Sequence, residues 1–278
     1  MSSQNSRVLV LGGPSSGKST FLMQLYGRAA SGECQLTNHS APESLSAISD
    51  GWKRLQRGLP PAHTPHGTDS SLTLSTVDKL GRHLDVTIPD YAGEDLQVIG
   101  NSRRVSDRWR DLASASRHWI LLVRLSQYPD IPDLVSRPVG ELASAAPARL
   151  DEGANEALPV DMLTVELLQI LRHIRTQTVR PTAALSITLV LSCWDELNLP
   201  LGTAPSDVAY NRLSLVDSFC RARLGSEYRV LGLSAQGRPL FEASPDEEFV
   251  DSGPHKMGWM VREDGTLDSD LTKLIANQ

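Results

Sequence analysis

Cysteine is scarce in this chain, which has three in 278 residues, namely Cys34, Cys193 and Cys220. Such few and widely spaced cysteines exclude a disulfide framework and a cysteine-based zinc site, and they indicate a reducing compartment. Long apolar runs are missing too, since none reaches the roughly 18 residues that a membrane span needs. The first six residues are polar and lack the apolar core of a signal peptide. We therefore expect a cytoplasmic protein with no direct membrane insertion.

Positive charge is also in deficit. The chain has 27 lysine and arginine residues against 33 aspartate and glutamate residues, a formal net charge of −6. This balance argues against a protein that coats nucleic acid or an anionic membrane, so we expect no nucleic-acid partner. With 40% hydrophobic and 22% charged residues, the composition is that of a globular protein with a substantial core.

The strongest feature present is a phosphate-binding motif at residues 12–20. An apolar strand pattern at residues 8–11 precedes it and a helical pattern follows at residues 21–25, which is the context that this motif requires. Backbone N–H groups of such a loop surround a β-phosphate, the lysine reaches the β- and γ-phosphates, and the serine hydroxyl ligates Mg²⁺. The predicted nucleotide-binding residues of the motif are Gly12, Gly13, Pro14, Ser15, Ser16, Gly17, Lys18, Ser19 and Thr20.

The rest of the chain alternates apolar strands with amphipathic helices. This pattern indicates an α/β fold, a mostly parallel central sheet of about six strands with helices on both faces. Residues 71–79 and 82–89 alternate in polarity around a short turn and predict an antiparallel edge hairpin. The other predicted strands cover residues 8–11, 119–123, 186–192 and 229–233. Besides the helix after the phosphate-binding motif, the predicted helices cover residues 41–58, 95–115, 160–174, 206–224 and 267–275.

Two further segments can contact Mg²⁺ or the γ-phosphate. Asp90 follows the second hairpin strand, where a carboxylate can hold Mg²⁺ directly or through water. Gly93 lacks a side chain, so its backbone N–H can approach a γ-phosphate closely. Thr68, in the loop before the hairpin, can coordinate Mg²⁺ while a γ-phosphate orders that loop, and Thr64 is an alternative to it. The predicted metal ligands are Ser19, Thr68 and Asp90.

A candidate base-recognition site follows two later strands. The Asp195 carboxylate can accept hydrogen bonds from the N1–H and the 2-amino group of guanine, whereas the N1 of adenine carries no proton. The small-residue turn after strand 229–233 offers a backbone N–H to the guanine 6-oxygen. Besides Asp195, the predicted base-site residues are Ser192, Cys193, Ser234, Ala235 and Gln236.

These motifs, in this order on successive strand ends, resemble those of the Ras-like P-loop GTPases of the translation-factor-related (TRAFAC) class. Thr68 lies 22 residues before Asp90, the separation that this class uses. A helix carrying Trp52 and the C-terminal stretch 258–272 are similar to the bacterial double-GTPase (DO-GTPase) family. The resemblance implies a single GTPase domain over the whole chain, with insertions at about 27–66 and about 126–158.

The resemblance also implies a function. It implies Mg²⁺ and GTP or GDP as ligands, a regulatory switch with slow GTP hydrolysis, and catalytic roles for Lys18, Thr68, Gly93 and Glu94. Double-GTPases are associated with bacterial multi-gene systems suspected of acting in conflict or defence. We therefore expect a protein effector or a GTPase-associated protein as partner, with a homodimer as a further option.

The chain departs from the family pattern at two places. Ser192 and Cys193 stand where the family has Asn and Lys, so guanine preference depends mainly on Asp195. Glu94 stands where Ras-like enzymes carry a Gln that orients the attacking water, and an ionised Glu only accepts hydrogen bonds. We therefore expect slow intrinsic hydrolysis. Because no arginine lies near Thr68 in the preceding loop, an arginine finger from a partner or a second copy is the hypothesis for stimulation.

Three alternatives stay open on the sequence alone. The phosphate-binding motif also suits a nucleoside-type small-molecule kinase, against which stands the absence of an arginine-rich lid. A nucleotide-binding scaffold with little hydrolysis fits Glu94 and the missing Lys. Trp194 can either stack on the base or belong to the core.

Overall fold

The computed structural model describes residues 6–40, 45–61, 71–89, 99–100, 102–128, 160–178 and 184–276. The strands are β1 (Ser6–Gly12), β2 (Leu36–Asn38), β3 (Ser71–Asp78), β4 (His83–Pro89), β5 (His118–Val123), β6 (Ser186–Ser192), β7 (Tyr228–Ser234), β8 (Trp259–Val261) and β9 (Leu267–Asp268). The helices are α1 (Lys18–Ser31), α2 (Leu45–Gln56), α3 (Asp107–Ala115), α4 (Val160–Thr178), α5 (Pro205–Arg212), α6 (Ser214–Leu224), α7 (Glu247–Ser252) and α8 (Lys273–Ala276).

All the described strands belong to one sheet with the order β2-β3-β4-β1-β5-β6-β7-β8-β9. The five central strands, from β4 to β7, are parallel. The outer strands on both sides are antiparallel to their neighbours. The carboxyl ends of β1, β5, β6 and β7 therefore meet at the same edge of the sheet, and in parallel α/β sheets ligands bind at this edge.

The sheet is buried on both faces, as the continuous apolar runs predict. Side chains alternate along β1, so Leu9 and Leu11 pack in one core with residues of α3, α4, α5 and α6. Val8 and Val10 pack in a second core with residues of α1 and α8. The predicted α/β fold with helices on both faces is confirmed, and so is the antiparallel hairpin β3–β4.

The prediction of about six strands is wrong, since the described residues form nine. Antiparallel strands lie on both sides of the five parallel ones. The strands missed are β2, β8 and β9. They have three, three and two residues, too few to show an alternation of apolar and polar positions. Residues 267–268, predicted as the start of a helix over 267–275, belong to β9, and the helix there is α8.

Two other predicted helices are interrupted. Of the predicted helix 95–115, residues 103–106 are not helical and α3 starts anew, because the Ser106 side chain accepts a hydrogen bond from Trp109 N and caps it. The predicted helix 206–224 divides at Leu213 into α5 and α6. The irregular insertion predicted over 126–158 lies outside the described residues, except for 126–128.

Two segments that the double-GTPase resemblance singled out pack against helix α1. The ring of Trp52 in α2 packs so closely on Gly27 that a Cβ there would lie 2.1 Å from it. The buried Arg28 guanidinium donates to the carbonyl oxygens of Ser269 and Met257, both at 2.5 Å. The C-terminal stretch is therefore fixed to the helix that follows the phosphate-binding motif. None of the helices described is both long and apolar enough to cross a membrane.

Candidate nucleotide-binding site

Residues 12–17, from the last residue of β1 to the residue before α1, form a tight loop, here called the phosphate loop. Gly12 has no room for a side chain, because a Cβ there would lie 2.5 Å from Ser16 Oγ and 2.7 Å from Leu122 O. Gly17 precedes α1 with a φ of 84°, a left-handed conformation that favours glycine. Phe21 N then donates to Gly17 O at 2.9 Å and closes the first helical turn. The sequence motif thus folds into the strand–loop–helix geometry that anion binding needs.

The start of α1 is electropositive and lacks a side-chain cap. The residue before the helix, Gly17, has no side chain that could cap it, and no acidic residue lies in the first turn. The helix dipole favours an anion at this position. Ser19 and Thr20, both half-buried, lie in this turn. The Ser19 hydroxyl is an oxygen donor of the kind that Mg²⁺ prefers, so the residue present fits a magnesium ligand.

Lys18 folds back over the phosphate loop. Its Nζ donates to Gly13 O at 2.6 Å, to Gly12 O at 2.9 Å and to Ser16 Oγ at 3.3 Å. Burial of the ammonium group lowers the pKa of Lys18 to about 8. The protein alone therefore stabilises the charged form of Lys18 poorly, and a bound phosphate would stabilise it further.

The base-recognition candidates lie at the ends of β6 and β7. Cys193, with a φ of 51°, leads the chain into a 3-10 turn over Trp194–Leu197. Residues 193–197 are here called the base turn. Asp195 Oδ1 accepts a hydrogen bond from Ser234 Oγ at 2.5 Å. Ser234 Oγ in turn accepts one from Gly237 N at 3.0 Å. These bonds join the two strand ends.

Two buried polar atoms at this site have no hydrogen-bond partner among the described residues, namely Ser192 Oγ and Gln236 Oε1. Because buried polar groups are nearly always paired, both atoms have an acceptor site to offer to a ligand. Cys193 Sγ lies 4.0 Å from where a Cβ on Gly17 would stand, so the base turn borders the phosphate loop. Burial raises the pKa of Cys193 to about 12, which keeps this thiol neutral.

Trp194 belongs to the core. Its side chain is 6% exposed, and a Cβ on Gly232 of β7 would lie 2.6 Å from its ring. The structure therefore favours the core interpretation of Trp194 over stacking on a base.

The structure adds two site residues that the sequence interpretation missed. Arg124 directly follows β5 and donates from Nε and Nη2 to both carboxylate oxygens of Glu196, at 2.8 and 2.6 Å. Its Nη1 also donates to Ser15 O in the phosphate loop, at 3.2 Å. The sequence offered two signals for this pair. Arg124 directly follows a buried strand, and Glu196 is a second charged residue beside Asp195.

Four predicted site residues lie outside the described residues, namely Thr68, Asp90, Gly93 and Glu94. Within the described ranges, no group of three or more His, Cys, Asp or Glu side chains could hold a metal ion. A magnesium ion held by a hydroxyl, phosphate oxygens and waters does not need such a group. The roles predicted for these four residues stay predictions.

Comparison with known proteins gives a match over nearly the whole chain. A family model described as Double-GTPase 1 matches residues 9–278. A comparison with curated proteins finds no match.

Similar solved structures include the SRb-GTP/SRX signal recognition particle receptor complex from Chaetomium thermophilum, with 14% identity, TM-score 0.41, and coverage of 84% of this chain and 93% of that chain. A bacterial selenocysteine-specific elongation factor has 12% identity, TM-score 0.40, and coverage of 84% and 26%. A variant of Era from Aquifex aeolicus, bound to GDP and aluminium fluoride, has 15% identity, TM-score 0.36, and coverage of 84% and 52%. The chain thus spans about a quarter of the elongation factor and about half of Era.

Proposed function

Because this chain belongs to the double-GTPase 1 family, we propose that it is a GTP-binding regulatory switch that hydrolyses GTP slowly. The observation that carries the proposal is the position of two binding elements at one edge of the sheet. One is the phosphate loop with Lys18, and the other is Asp195 held by Ser234. The first suits the phosphates of a nucleotide and the second suits guanine.

The guanine preference depends on Asp195. The Ser234 hydroxyl fixes one carboxylate oxygen, and a carboxylate retains further acceptor sites for the N1–H and 2-amino group of guanine. Adenine has no proton on N1, so its lone pair would face the carboxylate without a hydrogen bond. A site built to accept these protons rejects the base that lacks them.

Hydrolysis is the attack of water on the γ-phosphorus, with cleavage of the bond to the oxygen that bridges the β- and γ-phosphates. Lys18 and the N–H groups of the phosphate loop stabilise the negative charge on the transferring group. Mg²⁺, when bound by Ser19 with Thr68 and Asp90, would neutralise charge on the β- and γ-phosphates. If Glu94 takes the place that the family resemblance gives it, its negative charge would slow the reaction.

A regulatory role fits a slow enzyme that a partner accelerates. GTP would order the segments around Thr68 and Gly93, and a partner of a bacterial conflict or defence system would recognise that state. An arginine supplied by the partner or by a second copy raises such rates by about 10³–10⁵. If a second copy supplies it, the hydrolysis rate per molecule rises with protein concentration; a rate independent of concentration leaves a different protein as the source.

The first experiment measures Mg²⁺-dependent binding of fluorescent GTP and ATP analogues in competition, with Lys18→Ala as the blank. We expect preference for GTP, and loss of that preference in Asp195→Ala. Ser234→Ala is the matched control, because it removes the hydrogen bond to Asp195 but keeps the carboxylate. This control variant should bind GTP more weakly and still prefer it. Equal binding of GTP and ATP by the unmodified protein, or preference for ATP, would favour the kinase or an ATPase instead.

A further inference from the structure

Arg124 joins the two ends of the candidate nucleotide site. Its guanidinium reaches Ser15 O in the phosphate loop at 3.2 Å and both carboxylate oxygens of Glu196 in the base turn, at 2.8 and 2.6 Å. Asp195, the predicted guanine contact, is the residue before Glu196 in the same 3-10 turn. A single side chain therefore contacts the phosphate side and the base side of the site.

Arg124 and Glu196 are partly shielded from water and share several hydrogen bonds. The side chains of Arg124 and Glu196 are 29% and 22% exposed, and Ser126 Oγ donates to the same carboxylate. Burial raises the pKa of Glu196, but hydrogen bonds from Arg124 and Ser126 outweigh it and hold that pKa below its usual value. The pair is therefore ionised at neutral pH, and its two parallel hydrogen bonds fix the geometry.

The backbone on which Arg124 lies is also held in place. Arg212 of α5 donates to Tyr128 O at 3.1 Å and to Leu125 O at 3.4 Å. The Tyr128 hydroxyl in turn lies 3.4 Å from where a Cβ on Gly13 would stand. The segment 124–128 thus packs beside the phosphate loop.

We propose that Arg124 and Glu196 are positioning residues that set the spacing between the phosphate loop and the base turn, and that this spacing controls how long a guanine nucleotide stays bound. The inference rests on the proposed function, since it presumes a ligand that spans both loops. The hydrogen bond from Ser234 to Asp195 leads to the end of β7 and not to the phosphate loop. Without Arg124, each loop keeps its own structure but their separation is less well fixed.

If Arg124 has this role, its substitution should weaken the binding of a nucleotide but not that of inorganic tripolyphosphate. A nucleotide touches both loops, so a looser spacing weakens its binding. Inorganic tripolyphosphate touches the phosphate loop alone, so its binding does not depend on the spacing. If Arg124 only supported the fold, its substitution would weaken the binding of both ligands together.

The experiment measures dissociation of fluorescent GDP and its displacement by tripolyphosphate in three single variants, Arg124→Gln, Arg124→Lys and Glu196→Gln, and in one double variant. We expect about tenfold faster GDP dissociation in Arg124→Gln, the size of one charged hydrogen bond. A smaller increase is expected in Arg124→Lys, since an ammonium group cannot hold both partners in this geometry. The double variant Arg124→Gln/Glu196→Gln should be no faster than the faster single variant, because the two residues act as a pair.

The matched control is Arg221→Gln, which breaks an arginine–aspartate pair with Asp217 at 2.7 Å on α6. Its GDP dissociation should equal that of the unmodified protein, and thermal unfolding checks that every variant is folded. Unchanged GDP dissociation in both Arg124 variants would overturn the inference and leave the proposed function intact. So would an equal loss of GDP and tripolyphosphate binding. An unmodified protein that binds no guanine nucleotide would overturn the proposed function, and this inference with it.

Discussion

Replacement of Lys18 by Met should make the nucleotide-free protein more stable while it abolishes nucleotide binding. Methionine keeps much of the length of the side chain and removes its charge. In the free protein the ammonium group is buried over the phosphate loop, with two carbonyl oxygens and one hydroxyl as its partners. These partners do not offset the lost hydration, because burial lowers the pKa of Lys18 to about 8.

The magnitude follows from that pKa. Lowering it from 10.5 to about 8 costs about 3 kcal/mol of folding free energy when the group is charged, since one pKa unit is worth about 1.4 kcal/mol. Below pH 8 both the folded and the unfolded chain hold the proton, so the full cost applies. Between pH 8 and 10.5 the folded chain releases the proton first, and stability therefore rises with pH. Above pH 10.5 the cost has gone.

The assay is urea unfolding of the unmodified protein and of Lys18→Met, without nucleotide, between pH 7 and 10. Because other groups titrate in this range, the informative quantity is the difference in unfolding free energy between the two proteins. We expect Lys18→Met to be up to about 3 kcal/mol more stable at pH 7, with this advantage shrinking as the pH rises above 8. Lys53→Met is the control, since Lys53 is an exposed lysine with a side chain 66% exposed. It should change stability by at most about 0.5 kcal/mol at any of these pH values.

Two results would refute this reasoning. One is a difference between Lys18→Met and the unmodified protein that is the same at pH 7 and pH 10. The other is a Lys18→Met protein that is less stable at pH 7, which would mean that the hydrogen bonds of the ammonium group outweigh its lost hydration. The expected result would mean that the charge of Lys18 destabilises the nucleotide-free protein, and that a bound anion offsets this cost.

The structure and the sequence support three further predictions. Glu94→Gln should speed single-turnover GTP hydrolysis more than about 10-fold, because a Gln can orient the attacking water and carries no charge; an unchanged rate would contradict the role given to Glu94. Gly232→Ala should lower the unfolding free energy by about 1–3 kcal/mol in urea, since the added Cβ would lie 2.6 Å from the Trp194 ring. Arg175→Met should cost about 2–3 kcal/mol in the same assay, because the buried guanidinium donates to the carbonyl oxygens of Ala113, Ser114 and Ser116 at 3.1, 2.8 and 2.7 Å; retained stability would contradict either prediction.

The phosphate side of the site could be predicted from the sequence because it is local. Nine consecutive residues contain the glycines, the lysine and the hydroxyl, and the apolar residues on either side specify the strand and the helix that hold them. The same holds for the β3–β4 hairpin, where the turn at Gly81 has a φ of 77°. Short-range patterns of this kind need no knowledge of which strands are neighbours.

Where the helices are interrupted, the cause is partly distant in sequence. Helix α6 begins anew after Leu213 because the Asp161 carboxylate of α4 accepts hydrogen bonds from Leu215 N and Val216 N, at 2.9 and 2.8 Å. A cap from a residue more than fifty positions away leaves no local signal at residues 213–216. The start of α3 is different, since Ser106 followed by Asp107 is a local capping signal that the predicted helix over 95–115 overlooked.

The base side of the site depends on contacts between strands, and this explains why its sequence interpretation was incomplete. Arg124 can meet Glu196 only because β5 and β6 are neighbours in the sheet, with Val123 opposite Leu191. Asp195 can meet Ser234 only because β6 and β7 are neighbours, with Ser192 opposite Leu233. The phosphate loop is thus specified by one segment, whereas the position of Asp195 depends on the packing of three strands. Substitutions in the core of β6 or β7 should therefore alter the choice of base more readily than the binding of phosphate.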